Sequence, residues 1–381
     1  MKILYVATVQ SHIAQFHLGA IAMMKEKGYE IHVAARDNLK EKNGLKLKNV
    51  DKVFDIPFKR SPLKADNIQA YYQLKQIITQ NKYDIIHCNT PVAGILTRWA
   101  ARKERGKGTK VIYTAHGFHF YKGAPFLYWV IYYPLEKIMA HLTDVLVTIN
   151  EEDYSLACRK FKCPVYRMHG VGVNTSKYDN VSKEEIERIK REYNLHDKTT
   201  IICTGELNEN KNQKTVVSAM KKVIKSFPDT VLLLAGNGPE KDNLNKQIKQ
   251  SGLEGKVILL GYHTDLPVYV HASDIAVSAS LREGLGLNLL EAMYCKKPIV
   301  ASDNRGHREL IDNKSGYLVN ARDSEAFSRC LMDLCRNFER RISMGVNGYK
   351  KSMIYRDVNV LNELQEIYGG CNENQRDNGN L

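Results

Sequence analysis

Short apolar runs alternate along this chain with longer stretches whose apolar positions recur every three to four residues. Residues 3–7, 30–34, 85–88, 111–114 and 145–149 are short and rich in β-branched side chains, as strands are. Residues 12–27, 68–81, 93–105 and 129–141 carry helical periodicity between them. The rhythm restarts in the second half. Strands are predicted at 200–204, 230–235, 257–260, 275–278 and 299–301, with helices at 216–226, 241–251, 287–295 and 324–337. Strand, helix, strand at this spacing implies right-handed crossovers and parallel, doubly wound sheets. The fold class is therefore α/β, with two Rossmann-like domains in tandem and their loops facing a central cleft. Domain limits are read at 1–178 and 179–353. A C-terminal helix at 354–370 is expected to pack back on the N-terminal domain, and the polar segment 371–381 reads as a disordered tail.

The most informative stretch is Ser-Leu-Arg-Glu-Gly-Leu-Gly-Leu-Asn-Leu-Leu-Glu-Ala-Met, residues 280–293. Glu283 stands in a loop beside Gly284 and Gly286, which let a ligand approach the backbone. Leu287 starts a helix whose first amides and positive dipole end suit a phosphate. Glu291 follows eight positions after Glu283. A carboxylate accepts two hydroxyl hydrogens at once, so two carboxylates around an anion seat suit a ligand with both sugar hydroxyls and phosphates. A nucleotide-sugar has both. Two further loops follow predicted strands. Gly205 to Asn212 brings Lys211 to a helix start, where a cation can neutralise a diphosphate. Thr-Ala-His-Gly-Phe-His, residues 114–119, sets His116 at a strand end. His116 and His119 lack a carboxylate or cysteine at ligand spacing, so no metal is expected there. Gly236-Asn-Gly-Pro239 reads as a structural turn.

With 381 residues and 43% hydrophobic content, the chain suits two domains with cores of their own. No apolar run reaches the ~18 residues needed to span a bilayer. Residues 1–8 read directly as strand, so no secretory leader is expected. The eight cysteines are scattered, as small core residues of a reducing cytoplasm would be. Net charge is +14, and residues 1–178 hold 27 Lys and Arg against 14 Asp and Glu. The N-terminal half alone is thus suited to meet something anionic. Lys59, Arg60, Lys64, Arg98, Arg102, Lys103, Arg105, Lys107 and Lys110 are the candidates for a lipid surface. Phe118, Phe120, Tyr121, Phe126, Tyr128, Trp129, Tyr132 and Tyr133 form an aromatic run that suits its interface or a polyprenol tail.

Residues 280–293 resemble the E-x7-E signature of retaining glycosyltransferases of family 4, which have the GT-B fold. Gly205-x-Leu with Lys211, the 236–239 turn, Lys-Pro-Ile-Val-Ala-Ser-Asp at 297–303, Gly306 with Glu309, and Gly-Tyr-Leu-Val at 316–319 fall in the family's order. Within it, the 114–121, 205–212 and 302–310 segments look like bacterial capsule and exopolysaccharide enzymes. The resemblance implies that Glu291 holds the donor's ribose, Glu283 the donor sugar's hydroxyls and Lys211 the diphosphate. Gly205, Gly284 and Gly286, with the amides of Leu285 to Leu287, complete the donor seat, and His116 lies near the transferred sugar. The chain departs from the family pattern in three places. Glu206 stands where an arginine is usual, with Arg282 as the candidate replacement. Asn174 replaces an aspartate. The loop after the first strand lacks a glycine pair and carries His12, Gln15 and His17, which with His119 are assigned to the acceptor side.

No Asp-x-Asp pair occurs, so metal-independent transfer without a cofactor is expected. The implied activity is retaining transfer of a hexosyl or N-acetylhexosaminyl group from a UDP-sugar to a polyprenyl-diphosphate-linked glycan. The implied place is the cytoplasm, peripheral to the inner face of the membrane. A UDP-sugar 2-epimerase on the same fold is the alternative. An NAD enzyme would need glycines after the first strand, where none occurs before Gly19, and a nucleic-acid binder would need a groove-reading module that is not recognisable here.

Overall fold

A computed structural model describes residues 1–41, 45–62 and 64–376. The chain forms two units, Met1–Gly172 with the chain from Asp357 onward, and Val173–Arg356. Among the described residues the first holds seven parallel strands: β1 (Lys2–Val9), β2 (Glu30–Arg36), β3 (Lys52–Asp55), β4 (Ile85–Asn89), β5 (Lys110–Ala115), β6 (Val145–Thr148) and β7 (Val165–Arg167). Their order is β3-β2-β1-β4-β5-β6-β7. The second unit holds β8 (Thr199–Thr204), β9 (Thr230–Ala235), β10 (Val257–Gly261), β11 (Ile275–Ser278), β12 (Ile299–Ser302) and β13 (Gly316–Val319). Their order, β10-β9-β8-β11-β12-β13, reverses between β8 and β11. The first sheet reverses likewise between β1 and β4. In an open parallel sheet that reversal splays the connecting loops and leaves a crevice at the strands' carboxyl ends.

Interior strands are buried on both faces: β1 from Ile3 to Val9, all of β4, β9 and β12. Helices cover each face, which explains the near-continuous apolar runs. The stretch 12–27, expected as one helix, is two, Gln10–Phe16 and Leu18–Glu26, broken at His17. Three short strands, β3, β7 and β13, were not expected; each lies at a sheet edge.

The last helix, Asp357–Arg376, completes the core of the first unit. Its Val360, Leu364, Ile367 and Tyr368 pack with Ile3, Tyr5, Ile31 and Ile85. Tyr368 Oη bonds His87 Nδ1 at 2.7 Å and Tyr5 Oη at 3.2 Å. The helix continues through residues 371–376 of the segment read as a tail, because a ladder already nucleated extends at little cost. Residues 377–381 lie outside the described residues. The two crossings between units are neighbours. Gly172 has φ +80°, and a Cβ there would lie 2.6 Å from Asp357 Cα, so only glycine fits.

Arg98, expected on a lipid-facing surface, is in the core. It is 1% exposed, its guanidinium lies 3.9 Å from the Tyr113 ring centre, and it donates to Glu136 Oε2 at 2.8 Å. Arg105 is half-buried and paired with Asp144 at 2.9 Å. Phe118 and Phe120 stack in the core at 4.7 Å. The large apolar side chains that do reach solvent on the helix Phe126–Ala140 are Phe126, Leu127, Val130, Ile131 and Ile138, with Phe126 82% exposed.

Candidate active site

In the second unit, the two strands at the sheet's reversal point deliver the two predicted loops. Three asparagine side chains stitch these loops together. Asn212 Nδ2 donates to Ala279 O at 3.0 Å, Asn210 Nδ2 to Arg282 O at 3.0 Å, and Asn288 Nδ2 to Thr204 O at 3.0 Å. The result is direct contact between two predicted residues: Lys211 Nζ donates to Glu283 Oε1 at 2.6 Å. Both are largely buried, with side chains 24% and 15% exposed, so solvent screens the pair only in part. Gly205 (φ +138°) lies against the Lys211 stem, where an added Cβ would meet Cε at 3.5 Å. Gly236 and Gly238 are structural, since a Cβ on either would overlap the backbone of Gly205 or Leu207.

Gly286 caps the helix Leu287–Tyr294 and, having no side chain, offers its first-turn amides no side-chain acceptor. Gly284 and Leu285 lie in the same loop. Arg282 uses its carbonyl to hold Asn210, and its side chain makes no hydrogen bond or ion pair among the described residues. Glu206 is exposed and bonds Asn208 at 3.1 Å.

Glu291, on the same helix, is half-buried and lies beside Tyr178. Burial pushes its carboxyl up to about 7, against a smaller lowering by the Tyr178 hydroxyl. The sign of the effect on stability follows. Below the ordinary carboxylate value of 4.5 the group is protonated whether the chain is folded or not. Between 4.5 and about 7 the unfolded chain ionises first, so the stability this group contributes is lost as pH rises. Above about 7 the loss is complete. Glu291→Gln, which cannot ionise, therefore melts higher than the natural protein at pH 8, with a gap that closes toward pH 5. Calorimetry at both values checks this, and an equal gap at both would contradict it.

Two residues in this region carried no expectation from the sequence. Tyr178 served only to mark a domain boundary. His307, on the short helix Arg305–Leu310, is fully buried. Its Nδ1 lies 2.8 Å from Ser302 O, and its Nε2 is unpartnered, 3.5 Å from where a Gly286 Cβ would stand. Gly306 lets that helix press on the loop, since a Cβ there would stand 2.9 Å from Glu283 Cβ. A buried histidine on a helix reads as core from sequence, and nothing local marked this one.

The first unit gathers histidines at the carboxyl ends of its strands. His12 and His17 follow β1, and His116 follows β5. Ring centres are 4.8 Å apart for His12 and His116, 5.3 Å for His12 and His17, and 5.9 Å for His17 and His116. His116 Nε2 bonds Asn89 Oδ1 at 3.0 Å. Burial and mutual repulsion hold His12 and His17 well below the usual imidazole value, and burial brings His116 down to about 4. All three are neutral near pH 7. The other two residues assigned to the acceptor side lie elsewhere: Gln15 is exposed, and His119 stacks on Tyr132 at 4.5 Å.

Comparison with known proteins settles the family. Residues 185–351 match the glycosyl transferases group 1 family, and residues 2–150 match the glycosyl transferase 4-like family. EpsD of Bacillus subtilis, a protein named as a glycosyltransferase, is 40% identical over 96% of both chains. The chain belongs to the group 1, 4-like glycosyltransferases. A second relative of this glycosyltransferase, from Escherichia coli, is 26% identical over 77% of this chain and 79% of its own. It is named a UDP-Gal:alpha-D-GlcNAc-diphosphoundecaprenol alpha-1,3-galactosyltransferase. HepE of Anabaena, solved with UDP, superposes with a TM-score of 0.80 over 97% of this chain and 100% of its own, at 18% identity. HepE has also been solved with UDP-glucose. The likeness establishes the GT-B fold for this glycosyltransferase.

Proposed function

We propose that this glycosyltransferase moves a hexosyl or N-acetylhexosaminyl group from a UDP-sugar, with retention, to a polyprenyl-diphosphate-linked glycan in bacterial surface polysaccharide synthesis. The observation that carries the reading is the Lys211–Glu283 pair, held on stitched loops beside the uncapped start of the helix that bears Glu291. The donor and acceptor named for the Escherichia coli relative support it, as does the UDP-glucose held by HepE.

In this reading the donor takes the pair apart. Its diphosphate draws the Lys211 ammonium, and the hydroxyls of its sugar replace that ammonium on Glu283. Glu291, ionised above about pH 7, accepts both ribose hydroxyls. Amides of Leu285 to Leu287 complete the phosphate seat. The acceptor oxygen bonds the anomeric carbon on the face from which the diphosphate departs. The carbon–oxygen bond to the diphosphate breaks, and the acceptor's proton passes to the departing phosphate oxygen. Lys211 and the helix start stabilise the charge that develops there. His12, His17 and His116, all neutral, are assigned to acceptor hydroxyls.

The test is a panel of nucleotide-sugars, each tried for thermal stabilisation and then for transfer to a polyprenyl-diphosphate glycan. UDP-sugars are expected to stabilise the protein and to be consumed only with acceptor present. A product formed without acceptor would point to epimerisation instead. Transfer is expected to survive EDTA, because the sequence has no Asp-x-Asp pair to hold a metal against the diphosphate. Loss on chelation, restored by Mg²⁺ or Mn²⁺, would contradict that.

Attachment to the inner membrane face belongs to the same reading. No helix among the described residues is long and apolar enough to cross a membrane. The basic N-terminal half and the exposed apolar side chains of the helix Phe126–Ala140 suit an anionic bilayer, at about 1 kcal/mol per basic residue. Flotation is expected with anionic but not neutral vesicles. Charge reversal at the exposed Lys103, Lys122 and Lys137 is expected to weaken it, and Phe126→Asp with Leu127→Asp to remove any salt-resistant fraction. A wild-type protein that stays soluble beside anionic vesicles at low salt would exclude this attachment.

A further inference from the structure

We propose that His12, His17 and His116 form a binding site for one divalent transition cation of the zinc class. Each offers an imidazole nitrogen, and the three ligand atoms lie within 4.8 Å of one another. The Nε2 atoms of His12 and His17 are buried without a hydrogen-bond partner, and His17 is only 4% exposed. Buried nitrogens left unpaired are costly, so the cluster favours a ligand that takes lone pairs.

Three observations choose a cation over an anion. First, three imidazole rings with centres 4.8, 5.3 and 5.9 Å apart bring one nitrogen each to a common point. A neutral imidazole has the lone pair that a transition cation takes, whereas a phosphate needs hydrogens from every partner. Second, Asn89 Oδ1 accepts the Nε2 hydrogen of His116 at 3.0 Å, which leaves Nδ1 as that ring's lone pair. Carbonyl support of this kind fixes the tautomer and orientation of a metal-bound histidine. Third, His87 stands beside the cluster but outside the set, because Tyr368 and Thr114 engage both its nitrogens. The set is thus three imidazoles with a fourth position open, and it contains no carboxylate. That selects zinc, cobalt or nickel over magnesium or calcium.

The geometry needs a small adjustment. Metal–nitrogen bonds of about 2.0–2.1 Å place two tetrahedral nitrogens about 3.4 Å apart, so the rings must draw inward by roughly an ångström on binding. His17 sits at the break between two short helices, where such a shift is least resisted, and His12 lies in the first turn of the seven-residue helix before it. This cation has no part in the transfer step. Given the acceptor-side role proposed for the same histidines, it occupies the lone pairs meant for acceptor hydroxyls and inhibits.

The test uses the full chain, stripped with EDTA, desalted and titrated with Co²⁺ at pH 7.5. One equivalent is expected to bind, with the visible absorption of four- or five-coordinate cobalt and no thiolate charge-transfer band. His12→Gln and His17→Gln, with folding checked by circular dichroism, are expected to bind about 100-fold more weakly or worse. Should either variant unfold, the imidazole proton resonances of the wild type decide, and Co²⁺ must shift three histidines. The site is overturned by failure to take up one equivalent, by unchanged affinity in both variants, or by a thiolate band. Cobalt bound at these histidines with transfer unaffected by Zn²⁺ would support the site while removing the acceptor-side role.

Discussion

Alanine in place of Glu283 is expected to abolish sugar transfer in a protein that still folds and still binds UDP. UDP has no donor sugar, and in this reading Glu283 serves only that sugar. Alanine at Lys211 is expected to lower turnover by about 10²–10³-fold, the usual cost of losing one group that stabilises a departing charge. The 2.6 Å contact between the two adds a further expectation. Because they act as a unit, the double variant falls little below the worse single one. Turnover and KM for the donor, measured for all three variants, check this. Near-wild-type transfer by folded Glu283→Ala would remove the central assignment. If Arg282→Ala harms turnover more than Lys211→Ala does, the diphosphate belongs to the other cation.

The second large effect is on stability and lies far from chemistry. Arg98→Ala leaves the carboxylate of Glu136 buried among Tyr113 and its neighbours with its charge uncompensated. Breaking such a pair from one side costs about 3–5 kcal/mol, a large share of an ordinary protein's stability. Replacing both partners with apolar residues of similar volume is expected to cost far less, because no charge is then stranded. Urea denaturation distinguishes the two, and an unchanged midpoint for Arg98→Ala would contradict the account.

What the sequence made legible follows from where each feature gets its signal. Interior strands such as β4 and β9 are covered on both faces, and their unbroken apolar runs stand out. The edge strand β3, Lys-Val-Phe-Asp, is mostly exposed and carries no such run. Its neighbours, not its composition, make it a strand. The Glu283 and Glu291 loop was readable because glycines, carboxylates and a helix start fall within one short stretch. Contact between Lys211 and Glu283 spans 72 residues, yet strand-end loops at a sheet's reversal point were bound to converge. Arg98 was misread because a basic residue on a helix ordinarily faces water, and its partner lies 38 residues on. The meeting of His12 and His17 with His116 has the same cause: sequence shows three histidines and not the sheet that gathers them.

Gly172 and Asp357, side by side at the crossing between units, have a consequence for how the chain is made. Synthesis runs from the amino end, and a domain ordinarily folds once its own residues have emerged. The first unit cannot do so here. Tyr368, which ties His87 to Tyr5, and the apolar face of Val360, Leu364 and Ile367 come after the whole of the second unit. The later-made unit, contiguous in sequence, is therefore the first to acquire all its parts. The earlier one waits, with part of its apolar interior open, until residues 357–368 have left the ribosome.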